Sequence, residues 1–403
     1  MVHDRTATPF RVLPTRIDLP AAEMRIIDWW RERDIFARSL NRTANGPRWG
    51  FYEGPPTANG SPGVHHVEAR VFKDVFPRFK TMKGYSVSRQ AGWDCHGLPV
   101  ELAVEKELGL NGKPQIETFG IAAFNARCRE SVMRHVSEFE QLTQRMGYWI
   151  DLEHPYTTMS PEYIDSVWWS LQQIFDRGLL TEDFRVAPYC PRCGTTLSDH
   201  ELAQGYETVT DPSVYVRMPL LDSIADIDDA ELLIWTTTPW TLPANTAVAV
   251  NSSTVYVIAR TESGTFIVAE PLAGAVLGED AETVAAISGT ELAGLRYLPP
   301  FDLVEIPHAH RIIEAGYVTA DEGTGLVHQA PAFGADDLAV CQANGLPLIN
   351  PLQSDGRFSA HLDLIGDVFF KHADPRTCTT ADCCSHKPIS STVTHIAGDA
   401  TPL

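Results

Sequence analysis

Apolar positions recur along this chain with two different periods. Residues 20–40 place Met24, Ile27, Trp30 and Ile35 near one face of a helix that starts by Pro20. Arg48 to Glu53 reads as a short strand, and it runs into a loop rich in glycine and proline. Val67, Val71, Val75 and Phe79 then mark a second helix, with Pro77 expected to kink or restart it. Ser86 to Gly92 can form the next strand. Strand, loop, helix, strand is a βαβ unit and implies a parallel sheet. A third helix spans Ser160 to Gly178. Ser160 suits the cap, Pro161 the first turn, and Ile164, Val167, Trp168, Leu171, Ile174 and Phe175 form its apolar stripe. Beyond Gly194 the pattern changes to short apolar runs separated by Pro and Gly, such as Glu231–Trp235, Thr246–Val250 and Thr254–Ala259. The reading is an α/β start followed by a β-rich insert.

Composition narrows this picture. A length of 403 residues is too much for one ordinary core, so two or more domains are expected. Hydrophobic residues make up 44% of the chain, yet no run approaches a membrane span, and Met1 to Phe10 lack an apolar signal core. A soluble, cytoplasmic, monomeric protein without a membrane partner is the expectation. The net charge of −20 argues against a broad nucleic-acid-binding surface but leaves room for a local basic track. The eight cysteines do not form a secreted disulfide framework. Cys95, Cys128 and Cys341 read as buried thiols. Cys190 and Cys193 form a C-x-x-C, which supplies two of the four ligands of a tetrahedral zinc site.

The segment Phe51 to His66 ends a strand, turns through Gly54-Pro55-Pro56-Thr57-Ala58-Asn59-Gly60, and opens a helix at two histidines. Open α/β sheets bind ligands beyond the carboxyl ends of their strands, and a helix N-terminus attracts phosphate. Three further segments stand out. They are Gly92-Trp93-Asp94-Cys95-His96-Gly97-Leu98-Pro99, the threonine-rich run Trp235 to Asn245, and Gly323-Thr324-Gly325-Leu326-Val327-His328-Gln329-Ala330-Pro331 with Asp336-Asp337 after it. Alone, the threonine run is ordinary strand preference.

Together these segments resemble the class I aminoacyl-tRNA synthetases, and in particular their isoleucine branch, from about Leu19 to about Ala373. The resemblance implies the first half of a Rossmann-type catalytic domain with an inserted β-rich editing domain. It implies ATP-dependent activation of isoleucine (ATP with Mg2+), transfer to tRNA(Ile), and hydrolysis of mischarged Val-tRNA(Ile). Isoleucine and valine differ by one methylene, worth only about 1–3 kcal/mol of discrimination, so a second pocket must supply the rest. By the resemblance, Glu53, Pro56 and Asp94 serve the amino acid, with Asp94 facing its ammonium. Thr236, Thr237 and Thr238 line the editing pocket, Asp337 anchors the substrate ammonium, and His328 and Asn245 contact the terminal ribose or substrate. Cys190 and Cys193 look like one half of a zinc knuckle; zinc belongs to the intact family and is doubtful in this chain, with His200 a poor substitute for the missing ligands.

The sequence departs from the family at two places. The ATP motif is usually His-x-Gly-His, but the aligned residues here are Gly63-Val64-His65-His66. Either the nucleotide sits somewhat differently, or His65 reaches the same phosphate from a new anchor, or the motif is inactive. Second, Asp374 to Leu403 has no helical or strand period. Read one base out of frame, Thr380 to Ser385 can become Arg-Gly-Leu-Leu-Phe and Val393 to Leu403 can become Tyr-Pro-His-Cys-Trp-Arg-Cys-Asp-Thr-Pro, two segments the family carries in that order. This points to a frameshift near Asp374 and a poorly packed tail. The expected domains are a helical arm at 1–44, the catalytic half at 45–195, the editing domain at 196–373 and the out-of-frame tail at 374–403. A chain so arranged lacks the second half of the catalytic domain and its lysine-rich loop. Stand-alone editing hydrolase and inert truncated product are the alternative readings.

Overall fold

The computed structural model describes residues 16–203, 206–207, 211–380, 383–389 and 395–396, without the side chains at 200, 206–207, 379–380, 383–389 and 395–396. Two compact units divide the chain, Met1–Glu182 and Asp183–Leu403. The boundary therefore precedes the expected one at 195, and the C-x-x-C segment belongs to the second unit.

The first unit opens with α1 (Leu19–Glu32) and α2 (Ile35–Arg42). They replace the single expected helix because Asp34 adopts a left-handed conformation, with φ of 50°, which breaks the hydrogen-bond ladder. Strand β1 (Arg48–Trp49), helix α3 (Val64–Met82) and strand β2 (Ser86–Val87) follow. β1 and β2 pair in parallel, Arg48 with Ser86 and Trp49 with Val87, which is the βαβ connection expected from the sequence. α3 continues through Pro77, and the Thr81 hydroxyl donates to the Pro77 carbonyl at 2.9 Å. The expected strand from Ser86 divides, so that β3 (Gln90–Trp93) is separate. Helices α4 (Leu98–Leu108), α5 (Lys113–Phe119), α6 (Ile121–Val132) and α7 (Val136–Met146) come next, then strand β4 (Asp151–Thr157). β4 lies parallel to β3. Trp93, Val100, Val132 and Phe139 form the core beneath.

Helix α8 (Pro161–Asp176) closes this unit, with the Ser160 hydroxyl accepting from the Tyr163 amide at 3.3 Å. Its apolar stripe is as expected in sequence but not in burial. Ile164, Val167, Trp168, Leu171, Ile174 and Phe175 are all exposed, because no described element covers that face.

The second unit starts with the hairpin β5 (Tyr189–Cys190) and β6 (Thr195–Thr196), then α9 (Asp199–Leu202) and β7 (Tyr206–Glu207). Its centre contains β8 (Asp211–Pro219), β9 (Ala230–Thr236), a 3-10 turn at Pro239–Ala244, β10 (Ala247–Val250), β11 (Val255–Thr261) and β12 (Gly264–Ala269). After these come α10 (Ala273–Leu277), β13 (Glu282–Ser288), α11 (Gly289–Leu292), β14 (Arg311–Glu314), β15 (Val327–Gln329) and α12 (Ala335–Ala343). Helix α13 (Phe370–Thr380) and strands β16 (Cys383–Ile389) and β17 (His395–Ile396) finish the described chain.

The six-stranded sheet has the order β13-β11-β12-β9-β8-β16, and a three-stranded sheet the order β14-β10-β15. Val214, Val216, Ile234, Ile258 and Ile267 fill the core between them with Val248 and Ile312. The architecture is α/β, with the β-rich part in the second unit.

Part of the expected tail lies among the described residues. α13 runs across Asp374, and Asp374, Thr377 and Cys378 are buried. β16 pairs antiparallel with β8. Residues 381–382, 390–394 and 397–403 lie outside the described set, as do residues 1–15 of the expected arm.

Candidate functional site

Two groups of the singled-out residues gather in space, one in each unit. The stronger lies in the second. β9 delivers Thr236 to the end of the large sheet, and the following 3-10 turn carries Trp240 and Thr241. β10 then pairs antiparallel with β15, setting Val248 opposite His328. This pairing joins two segments far apart in sequence. Between them is a cavity of about 400 Å³, lined by Thr236, Thr237, Thr238, Thr241, His328 and Asp337, with Trp240 and Phe333 in edge-on contact on its wall.

The polar groups around it are ordered by donor and acceptor logic. The Tyr297 hydroxyl donates to Asn245 Oδ1 at 2.6 Å, so the Asn245 amide points its nitrogen at the Ala247 carbonyl (3.1 Å) and at His328 Nδ1 (2.7 Å). Nδ1 is then an acceptor, and the ring proton sits on Nε2, 3.0 Å from Thr241 Oγ1. The Thr241 hydroxyl in turn donates to the Thr238 carbonyl at 2.8 Å. Burial pushes the His328 imidazole down to about 4, so it is neutral near pH 7. Neutral and doubly hydrogen-bonded, His328 is a fixed donor rather than a free base. Asn245 is 2% exposed and does not line the cavity; it holds His328 from behind.

The threonines differ in what they are free to do. Thr236 Oγ1 accepts from the Thr238 amide at 3.2 Å and lies 3.3 Å from the Thr238 hydroxyl. Among the described residues the Thr237 hydroxyl has no hydrogen-bond partner, which leaves it for a ligand or water. Asp337 sits in the first turn of α12, and its Oδ2 accepts from the Ala330 amide at 2.8 Å. Burial raises its pKa, and the Ala330 amide opposes that rise. The cavity thus offers a carboxylate, an uncommitted hydroxyl and fixed donors.

In the first unit, Pro56 and Asp94 meet at the end of β3, where the Asp94 amide donates to the Pro56 carbonyl at 3.0 Å. Thr57 and Thr158 donate to the Asp94 carboxylate at 3.2 and 3.3 Å. Glu53 is differently placed from an open ligand. Its carboxylate is buried, ion-paired to Lys73 at 2.6 Å and bonded to the Tyr148 hydroxyl at 2.6 Å, so it ties the loop to α3.

Gly63 caps α3, and its amide donates to His66 Nδ1 at 2.9 Å. The His66 Nε2 proton is therefore free to point outward. Burial and then the neighbouring His65, Arg70 and Lys73 lower the His66 pKa. The His65 ring lies back over Gly63: a Cβ on residue 63 would come within 2.9 Å of it. The two imidazole centroids are 3.8 Å apart. The exchanged order is therefore self-consistent in space, since glycine at 63 makes the room that the imidazole at 65 takes up.

Cys190 and Cys193 face each other across the β5–β6 turn, where the Cys193 amide donates to Cys190 Sγ at 3.4 Å. Among the described residues no group of three or more His, Cys, Asp or Glu side chains is placed to hold a metal. Two cysteines do not complete a tetrahedral zinc site. His200 lies outside the described side chains. Sequence reading missed Trp240, Thr241, Tyr317 and Gln329. Trp240 and Thr241 lay inside the quoted run and could have been found from the spacing of its turn, whereas Tyr317 had no motif around it.

Residues 25–325 match the family model described as tRNA synthetases class I (I, L, M and V). The chain is 63% identical to the isoleucine–tRNA ligase of Thermobifida fusca over 91% of this chain and 35% of that protein. It is 61% identical to that of Streptomyces coelicolor over 92% of this chain and 36% of that protein, and 49% identical to that of Thermus thermophilus over 84% and 33%. The chain thus spans about a third of the length of the curated relatives it matches. Among solved structures, the editing domain of the P. knowlesi cytosolic leucyl-tRNA synthetase matches 35% of this chain and 64% of that one, at 18% identity and a TM-score of 0.28.

Proposed function

The chain belongs to the class I tRNA synthetases of the isoleucine, leucine, methionine and valine group, and on that premise we propose that its second unit carries the editing reaction of an isoleucine–tRNA ligase. The reaction is hydrolysis of the aminoacyl ester of Val-tRNA(Ile). Water adds at the ester carbonyl and the bond to the ribose oxygen breaks; one proton of the water goes to the ribose oxygen, the other to solvent, and valine leaves as its carboxylate. The observation that carries this reading is the single cavity shared by the threonine segment and the segment ending at Asp337. Asp337 holds the substrate ammonium. Thr237 orients the ester or the attacking water, and His328, through Thr241, fixes the wall against which the ribose rests. Asn245 acts through His328, not on the substrate.

The first unit supports the synthetic half of the same function, which is activation of isoleucine by ATP and its transfer to tRNA(Ile). Asp94, beside Pro56 at a strand's carboxyl end, takes the amino acid's ammonium. His65 and His66, at the N-terminus of α3, donate to phosphate oxygens as charge develops. ATP, with Mg2+, is the substrate that supplies the phosphate, and no further geometry is assigned to it.

Asp337→Ala in the 403-residue chain tests the editing reading. Deacylation of Val-tRNA(Ile) is expected to fall about 100-fold or more, or to lose its preference over Ile-tRNA(Ile), on the scale typical for removing one preorganised electrostatic group. Unchanged rate and selectivity would remove Asp337 from this role.

A further inference from the structure

Two prolines follow directly on Glu53 and Gly54, and they stiffen this loop. Proline fixes its own φ at about −65° and holds the residue before it extended. Gly54 and Pro55 each precede a proline, so the chain from the Gly54 carbonyl to Pro56 has little freedom of its own. Where Pro56 stands is therefore decided by what holds residues 53 and 54.

Three side chains from three parts of the first unit hold them. Lys73 of α3 donates from Nζ to Glu53 Oε1 and to the Gly54 carbonyl, each at 2.6 Å. The Tyr148 hydroxyl, just beyond α7, donates to Glu53 Oε2 at 2.6 Å. The Tyr156 hydroxyl of β4 donates to the Glu53 carbonyl at 2.7 Å. An ammonium has only protons to give, and carboxylates and carbonyls only lone pairs, so the direction of every one of these bonds is fixed by the groups themselves. Arg70, one turn before Lys73, does not replace it, because Arg70 is bonded to the Thr143 hydroxyl at 3.2 Å and to the His66 carbonyl at 3.3 Å.

The far end of the loop meets β3, where the Asp94 amide donates to the Pro56 carbonyl at 3.0 Å and the Thr57 hydroxyl to the Asp94 carboxylate at 3.2 Å. Lys73 lies about two turns beyond His66 on α3, and so near the same face of that helix. The helix that presents His65 and His66 at its N-terminus thus grips the loop that presents Pro56.

We propose that Lys73 is a positioning residue of the first unit: through Glu53 and Gly54 it sets Pro56 against Asp94 and keeps that pocket in register with the histidine end of α3. The proposal rests on the reading of Pro56 and Asp94 as the site that takes isoleucine. The role needs no contact between Lys73 and the substrate.

Lys73→Met and Tyr156→Phe in the 403-residue chain test it, the second being the milder change should the first not fold. Two quantities are read. One is hydrogen exchange at the Asp94 amide, whose partner is the Pro56 carbonyl, against exchange at the Asp151 amide, which donates to the Arg89 carbonyl at 2.8 Å at the opposite end of the β3–β4 pair. The other is the Kd for L-isoleucine by calorimetric titration. In Lys73→Met, exchange at Asp94 should rise about 10-fold or more, with Asp151 held within about twofold, and the Kd should rise about 10-fold, the scale of one lost hydrogen bond to a charged group. Tyr156→Phe should move both in the same direction by less. A merely structural role would raise exchange at both amides alike. That result, an unmoved Asp94 amide in a folded variant, or an unchanged Kd overturns the proposal. A selective rise at Asp94 in a chain whose parent binds no isoleucine leaves the grip of Lys73 standing and sinks the amino-acid reading instead.

Discussion

Burial keeps the His328 imidazole neutral down to about pH 4, against an ordinary value of 6.5. The unfolded chain takes up this proton first, so between pH 6.5 and 4 it binds more protons than the folded chain. Stability from this residue is complete above pH 6.5 and is lost as pH falls toward 4, by roughly 3 kcal/mol in all. Asp374 acts in the opposite sense. Burial raises its carboxyl to about 6, so in the folded state it binds a proton that the unfolded chain has released, and its contribution improves as pH falls through 6. The clean measurement is therefore a difference. Urea unfolding of the parent and of His328→Gln at pH 7, 6 and 5 should show the parent losing stability relative to the variant, and parallel losses would contradict a neutral buried imidazole. Asp337 and the threonines were singled out only through the resemblance of the segments that hold them, and the fold brings those segments to one cavity. The committed state of Asn245 and Glu53 was not legible, since a residue's type does not say whether its hydrogen bonds are spent inside the fold.

At the scale of elements, the 3-10 turn Pro239–Ala244 depends on α13, a helix far along the chain. The Trp240 amide donates to Asp374 Oδ1 on α13 at 2.9 Å, and Trp240 packs on Phe370 of the same helix. At pH 5, where the buried Asp374 carboxyl is protonated, Asp374→Ala leaves that amide unpaired and should cost about 1–3 kcal/mol of stability in the second unit. Deacylation should fall with it, because the turn carries Thr241. Wild-type stability would show that α13 does not brace the turn. In the first unit, Gly92 permits β3 to approach β4: a Cβ there would lie 2.2 Å from the Tyr156 ring. Gly92→Ala should destabilise that unit by typically 1–3 kcal/mol, the cost of overpacking, in a urea melt. The β-period of β9, β10 and β11 was visible in the sequence because both sheet faces there are apolar and buried. The break at Asp34 and the course of α13 were not. The first turns on one residue's backbone angle, and the second on packing that no periodicity announces.

For the whole molecule, the unit boundary between Glu182 and Asp183 was not legible in the sequence, because the segment up to the hairpin of Cys190 and Cys193 carries no compositional shift. On the proposed function, the net charge of −20 limits how tRNA would be held. Binding through a local basic track should show a shallow salt dependence, with log K against log salt falling by less than about 3, as only a few phosphates are neutralised. A filter-binding series in potassium chloride measures it, and a steep slope would reveal a larger basic surface than the composition implies. Among the described residues no helix is long and apolar enough to cross a membrane.

On the proposed function, the cavity of the second unit distinguishes valine from isoleucine on tRNA. Single-turnover deacylation by the 403-residue chain, with Val-tRNA(Ile) and Ile-tRNA(Ile) in parallel, tests it most directly. The account predicts hydrolysis of the valyl ester at least about 10-fold faster than that of the isoleucyl ester, the lower range for discrimination by one methylene. Equal rates for the two esters, or no hydrolysis above buffer, would contradict it.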